Sequence, residues 1–194
     1  MKSLLYVTLT VLPSLAIAQR MSLLSGDMHS LKGRKSFAIQ FNYDSIMVGM
    51  QVPEKKFVSD VKARWILRDS TKGDEFEQMW YGDRQKYYEP AFIKKFQECG
   101  ITLNDANAKY TIILKTRYIE GGWSVGVAGK KAEIGGELWI VESADLSHVI
   151  CKIEFHDARG AEAFGGDFDM TRRIITAYQN AGKWLGLFVH RRIK

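Results

Sequence analysis

The chain has 194 residues, a net charge of +6, 46% hydrophobic residues and 26% charged residues. That length suits one domain whose core needs no metal or disulfide, and the composition is globular and not disordered. The basic excess is modest and interleaved with Asp and Glu except at the extreme C-terminus. This argues against a nucleic-acid binder, which concentrates its charge on one stripe, and leaves at most a weak attraction to anionic surfaces.

The first 18 residues read as an export address. Lys2 supplies a positive start, Leu4 to Leu15 form a short apolar run containing Pro13, and Ala16-Ile17-Ala18 is a small-x-small cleavage site. The run is too short to span a bilayer, which takes about 20 apolar residues. Cleavage is expected between Ala18 and Gln19. No cysteine follows that site, so lipid attachment there is not expected. The expected product is exported, periplasmic or secreted, and not integral to a membrane once the signal is removed. Residues 19–34 are polar with scattered Leu and Met, and read as a flexible lead-in. Residues 35–194 read as a single α+β domain.

In residues 35–44 apolar Phe37, Ile39, Phe41 and Tyr43 alternate with polar or small residues, the period of a half-buried strand. Residues 45–52 form an approach loop or a short extension, weakened by Gly49. Pro53 and Glu54 open a helix that runs to about Asp69, with Phe57, Val61 and Trp65 on one stripe. A helical region follows from Asp74 towards Cys99. Pro90 cannot sit mid-helix without a kink or break, so two helices are expected to meet near Glu89 and Pro90, and Gly100 suits the closing cap. Three strands come next, over 109–119, Glu133–Glu142 and 148–155. A glycine-rich loop (121–131) and a short polar turn (143–147) join them. Residues 156–167 form a small-residue loop, Asp169 caps the last helix over 170–189, and Gly182 and Gly186 would let that helix approach the sheet closely. The expected fold is α+β: an antiparallel sheet of about four strands with helices packed on one face, in the order β-α-α-β-β-β-α. Outward Lys115 or Arg117, Glu137 and Lys152 would form a cross-strand charge ladder on the other face.

Chemistry-bearing residues are sparse. Cys99 and Cys151 both fall on apolar faces. In an oxidising compartment they are a possible disulfide; the alternative is two separate buried thiols. His29, His148, His156 and His190 lack the spacing of metal ligands, and His156-Asp157 reads as a solvated pair. There is no G-x-S-x-G elbow. Glu133 and Glu137 are about 13 Å apart along one strand, too far for glycosidase work, while Glu133 and Glu154 on neighbouring strands could come closer. Gly121, Gly122, Gly126 and Gly129 before Lys130-Lys131 suggest an anion cradle, but a phosphate loop needs G-K-[ST] leading into a helix, and a strand follows here. A wide hairpin loop is the expectation, with Trp123, Lys130 and Lys131 as a surface for an envelope glycan, an anionic headgroup or a protein partner. Asp44-Ser45-Ile46 and Asp69-Ser70-Thr71 match a short acceptor pattern for O-glycosylation of exported bacterial proteins.

The segment from Gly121 through Gly165, with its runs GGELWIVESAD and HVICKIEFHD, and the segment Trp80–Gln97 (WYGDRQKYYEPAFIKKFQ) resemble uncharacterised secreted and cell-envelope α+β domains of bacteria. The resemblance implies an exported, non-enzymatic α+β domain, names no ligand and assigns no functional residue; no cofactor is expected. The reading reached from sequence is a non-catalytic binding or accessory module of the bacterial envelope. Its partner would be an unknown envelope protein or a glycan or lipid component, and nucleic acid is not expected. The alternatives are a carrier of a small lipid or glycan ligand, and an enzyme whose site is spread through the sequence.

Overall fold

A computed structural model of the chain describes residues 21–125, 128–161 and 170–194. The export address, its Ala18–Gln19 cleavage site and the Asp169 cap lie outside the described residues. The fold is α+β, with one mixed sheet and helices α1 (Glu54–Ile66), α2 (Lys72–Asp83), α3 (Glu89–Gln97) and α4 (Met170–Ile193).

Among the described residues seven strands form the sheet, and it is larger than four strands and not purely antiparallel. Its centre is the expected meander. β5 (Tyr110–Glu120) pairs antiparallel with β8 (Glu133–Glu142), and β8 pairs antiparallel with β9 (Asp145–Arg159). On the far side of β9 lies β1 (Met21–Gly26), within the segment read as a flexible lead-in. The lead-in reading fails because β1 is an edge strand. Its backbone bonds to β9 fix it, while most of its side chains stay exposed and so carry no burial signal. On the far side of β5 lie β2 (Ala38–Asn42) and β3 (Met47–Val48), both parallel to it, and β4 (Val52–Pro53) completes a small hairpin with β3. Parallel pairing needs a crossover connection, and the helical region from α1 to α3 provides it between β2 and β5. Side-chain alternation reports which face a residue occupies, not which strand lies beside it or in which direction, so the antiparallel expectation did not survive.

The two helices expected to meet near Glu89 and Pro90 do so without a gap, with α3 opening at Glu89. α2 runs into one π turn, Arg84–Tyr88, and then into α3, which holds Pro90 in its first turn. Proline lacks the N–H that an uninterrupted α ladder would use, and the π turn ends two residues before it. Further on, Gly182 and Gly186 meet α3 and not the sheet. A Cβ at Gly182 would lie 2.5 Å from the Phe92 carbonyl oxygen, and one at Gly186 would lie 2.8 Å from Cys99 Sγ. The layer between sheet and helices is filled by Phe37, Phe92, Phe96, Phe155, Tyr178 and aliphatic neighbours, all fully buried. Tyr88 stacks on Tyr178 at 5.1 Å, and the Tyr178 hydroxyl bonds Thr116 on β5 at 2.9 Å. Burial raises both phenols above their ordinary pKa, so this contact is neutral.

The two cysteines are free. Cys99 lies in the contact between α3 and α4, with Sγ 3.7 Å from the Lys95 carbonyl oxygen and 3.6 Å from that of Lys183. Cys151 sits within the sheet, in register with Ile140 and Gly26. The reading as two separate thiols holds in place of a disulfide, because each side chain is committed to a different contact. Burial pushes the Cys151 thiol up to about 11 and raises that of Cys99, which leaves both poor nucleophiles.

Candidate functional site

The open face of the sheet dips at one place because of two glycines. β8 carries Gly135-Gly136, and here its pairing slips on both sides. The register to β5 shifts between Thr116 and Tyr118, and that to β9 between Ile134 and Gly136. Bulges of this kind bend a strand and re-aim side chains. The backbones approach so closely that a Cβ at Gly136 would lie 2.1 Å from the Lys115 carbonyl oxygen. The dip is a cleft of about 440 Å³ floored by the glycine pair. Its walls are Arg117, Tyr118, Glu133, Glu137, Glu154, His156 and Asp157, faced by Ser45, Met47 and Gln51.

Ser45, Gln51 and Asp157 hold left-handed backbone, with φ of 61°, 64° and 52°. Among the described residues Asn104 is the one other non-glycine residue in that state. A left-handed non-glycine residue costs energy and persists only where its surroundings over-determine it, and such residues gather at functional sites. One constraint is visible: Arg117 Nη1 donates to the Asp44 carbonyl oxygen at 2.7 Å and pins the turn that carries Ser45.

The register also sets carboxylates against each other, an arrangement that destabilises a sheet unless something offsets it. Glu120 lies directly opposite Glu133, and Glu137 directly opposite Glu154. Lys130 resolves the first pair: Nζ is 3.2 Å from Glu120 Oε2 and 3.5 Å from Glu133 Oε1, and it donates to the Tyr118 hydroxyl at 3.2 Å. Burial lowers the Lys130 pKa, but these bonds and charges outweigh burial and leave it raised. The second pair has weaker neighbours. Trp139 Nε1 donates to Glu137, and His156 Nε2 lies 3.1 Å from Glu154 Oε2. Four carboxylates and one arginine stand on the cleft walls, with Lys115 in register beside Glu137.

The expected charge ladder takes a different form. Lys115 is in register with Glu137, yet its ammonium sits 3.1 Å from the centre of the Trp139 ring, and Lys152 lies 4.0 Å from the same ring. The indole offers two cations its π face. Burial, then the neighbouring Arg117, lowers the Lys115 pKa.

Behind the Ser45 turn is a second hollow of about 540 Å³, lined by Tyr43, Glu54, Tyr81 and Arg84 among others. The Arg84 guanidinium, carried on the π turn, packs over Tyr43 at 4.5 Å and Tyr81 at 5.0 Å and donates to Glu54. Glu54 also accepts from Trp80 Nε1 at 2.8 Å. This network clamps α1 to α2.

The structure regroups the residues singled out from sequence. Trp123 and Lys130 are cross-strand partners in a two-stranded ribbon, β6 (Trp123–Val125) with β7 (Ala128–Lys130), where a wide loop was expected. Lys130 faces the acidic pair and Lys131 is exposed. Glu133 is in register with Arg159 and not with Glu154. His156-Asp157 joins the cleft wall, whereas His148 pairs with Glu142 at 3.3 Å. Among the described residues no three His, Cys, Asp or Glu side chains converge as metal ligands do. Ser45 and Ser70 of the two acceptor patterns are both exposed. The cleft itself was missed. Its one signal was a glycine pair inside a strand, a recognised mark of a bulge or close backbone approach.

No family model matches the chain, and no curated protein matches it. Among solved structures, a PelC dodecamer from Paraburkholderia phytofirmans is similar over 82% of this chain and 95% of its own, at 12% identity and a TM-score of 0.35. A leucine-to-methionine variant of that dodecamer covers 82% and 94% at 13% identity and a TM-score of 0.36. A likeness at that score establishes neither a shared fold nor a shared function. Among the described residues no helix is long and apolar enough to cross a membrane.

Proposed function

We propose that the protein is an exported binding module of the bacterial envelope. It would take a positively charged group of its partner, such as an ammonium or a basic side chain, in the open-face cleft. The observation that carries this reading is the Glu137–Glu154 pair. Two carboxylates stand opposite each other in a 440 Å³ hollow; Lys115 attracts Glu137 from β5 while its ammonium lies on Trp139, and among the described residues no ion pair joins a lysine to both as Lys130 joins Glu120 and Glu133. A cationic ligand would supply the missing charge, and the left-handed Ser45, Gln51 and Asp157 would preorganise the walls around it.

Affinity purification from the native envelope tests this, with wild type run beside the double variant Glu137→Gln, Glu154→Gln. A component enriched by wild type and lost by the variant is the expected result. Recovery of wild type alone, at native abundance and without ligand, overturns the reading.

One observation favours a second reading, an enzyme using paired carboxylates. Glu137 and Glu154 converge with His156 in one cleft, as acid–base chemistry requires. Under that reading the captured component emerges chemically altered after incubation with wild type and unaltered after incubation with either single Gln variant. A component bound and released intact leaves the binding module standing.

A further inference from the structure

Away from the cleft, the β3–β4 turn and the strand β6 carry apolar side chains into solvent on either side of one groove. The β3–β4 turn has left-handed backbone at Gly49 (φ 58°) and Gln51 (φ 64°), and the residue between them, Met50, is 93% exposed. In the β6–β7 ribbon Trp123 and Val125 occupy alternate positions and so share a face; they are 48% and 73% exposed. The Gly49 N–H donates to the Ile119 carbonyl oxygen at 3.0 Å, which ties the first turn to the base of the ribbon. Between the two runs a groove of about 180 Å³, lined by Gly49, Phe57, Val61 and Trp123, with Arg64 among its walls. Phe57, Val61 and Arg64 are one stripe of α1. Leu67, one turn beyond Arg64, is 87% exposed. The β3–β4 turn, the ribbon and this stripe meet along the groove, with Val61 buried at its base.

The border of that surface is basic. Arg64 and Arg68 are exposed on α1 and just beyond it, and Arg68 and Lys72 stack on Trp65 at 5.6 and 5.7 Å. Of the acidic residues nearby, Glu120 is bound by Lys130, Asp60 by Lys56 at 2.8 Å, and Asp69 accepts from the Thr71 N–H and hydroxyl at 3.0 and 2.8 Å. Isolated exposed apolar side chains suit a fluid phase. A protein partner would need a matching pocket for each, whereas a bilayer closes around them, and tryptophan settles at its interface. Arginine at the border fits anionic headgroups.

We propose that this face docks the protein on an anionic lipid bilayer. Met50, Trp123 and Val125 enter the headgroup region, while Arg64 and Arg68 reach the headgroup phosphates. The contact is peripheral. Met47 and Gln51 of the same hairpin line the cleft, so docking holds the cleft beside the membrane surface.

The test is co-sedimentation of the chain lacking residues 1–18, which keeps every described element and removes an apolar segment that would bind lipid by itself. Vesicles of phosphatidylcholine alone are compared with vesicles of equal parts phosphatidylcholine and phosphatidylglycerol. Wild type is expected to partition at least about tenfold better onto the mixed vesicles, and less well as salt rises. The double variant Met50→Asp, Val125→Asp is expected to lose at least about tenfold, with its thermal melt unchanged because both positions are exposed. Arg64→Glu falls between the two. Tryptophan emission shifts to the blue on mixed vesicles in wild type, and Trp123→Phe loses that shift. Wild type that sediments with neither vesicle overturns the proposal and points to a protein partner on this face. Equal binding by wild type and the double variant also overturns it. Glu137→Gln with Glu154→Gln leaves vesicle binding intact, so failure at the cleft and failure at the tips are told apart.

Discussion

One face of the central strands buries Ile112, Leu114, Leu138, Ile140, Ile153 and Phe155 beneath the helices, and the other carries Lys115, Arg117, Glu137, Trp139, Lys152 and Glu154 on its open side. Both faces come from the same strands by simple alternation. On the covered face every group agrees with burial: it is apolar and fully enclosed, or, like Thr116, it is hydrogen-bonded. On the open face neighbours conflict, with Glu137 opposite Glu154, two ammonium groups on one indole, and left-handed residues around a glycine floor. The covered face holds the fold, and the open face sets like charges and left-handed backbone beside one another.

The strongest way to break this contrast is Leu138→Asp, which places a charge at a site with no exposure. A loss of at least about 4 kcal/mol is expected in denaturant melts, whereas Lys131→Ala stays within about 0.5 kcal/mol. Similar losses in both would show the faces to be misassigned. Next is Arg84→Met. It leaves Glu54, which is 8% exposed, without its guanidinium and is expected to cost about 3 kcal/mol. A melt unchanged by this variant would remove the network's role in clamping α1 to α2. Gly136→Ala tests the cleft floor. Its Cβ collides with the Lys115 backbone, so a cost of about 1–3 kcal/mol is expected together with reduced ligand capture. Unperturbed stability and capture would mean the strands are free to separate there. The smallest effect belongs to Glu154→Gln, which removes one member of a like-charge pair and is expected to stabilise the free protein by up to about 0.5 kcal/mol while ligand capture falls. Destabilisation instead would show that His156 already satisfies that carboxylate.

The meander was legible because its strands are long and their inward positions unbroken, as in Ile134, Leu138 and Ile140. α1 and α4 were legible from the spacing of Phe57 and Val61 and of Ile174, Tyr178 and Leu185. β1 was not, because an edge strand is held by backbone bonds that leave no mark on Leu23 or Leu24. The parallel partners of β5 were not, since nothing in the alternation of Phe37, Ile39 and Phe41 names the neighbouring strand. The candidate site was legible only as scattered parts. Glu137, Glu154, His156 and Asp157 stand on β8 and β9, Arg117 on β5 and Ser45 before β3, and each alone looks like an ordinary surface residue.

The sequence by itself determined the class of fold, the apolar faces and the separate fates of most helical segments, because burial periodicity is local and written in side-chain chemistry. The tertiary structure alone decided the register. The pairing of β8 with β9 set Glu137 against Glu154, and a slip of one residue at Gly135-Gly136 then set Glu133 against Arg159. Which residues face each other across a sheet depends on backbone pairing between distant segments, and no local pattern of side chains encodes that pairing.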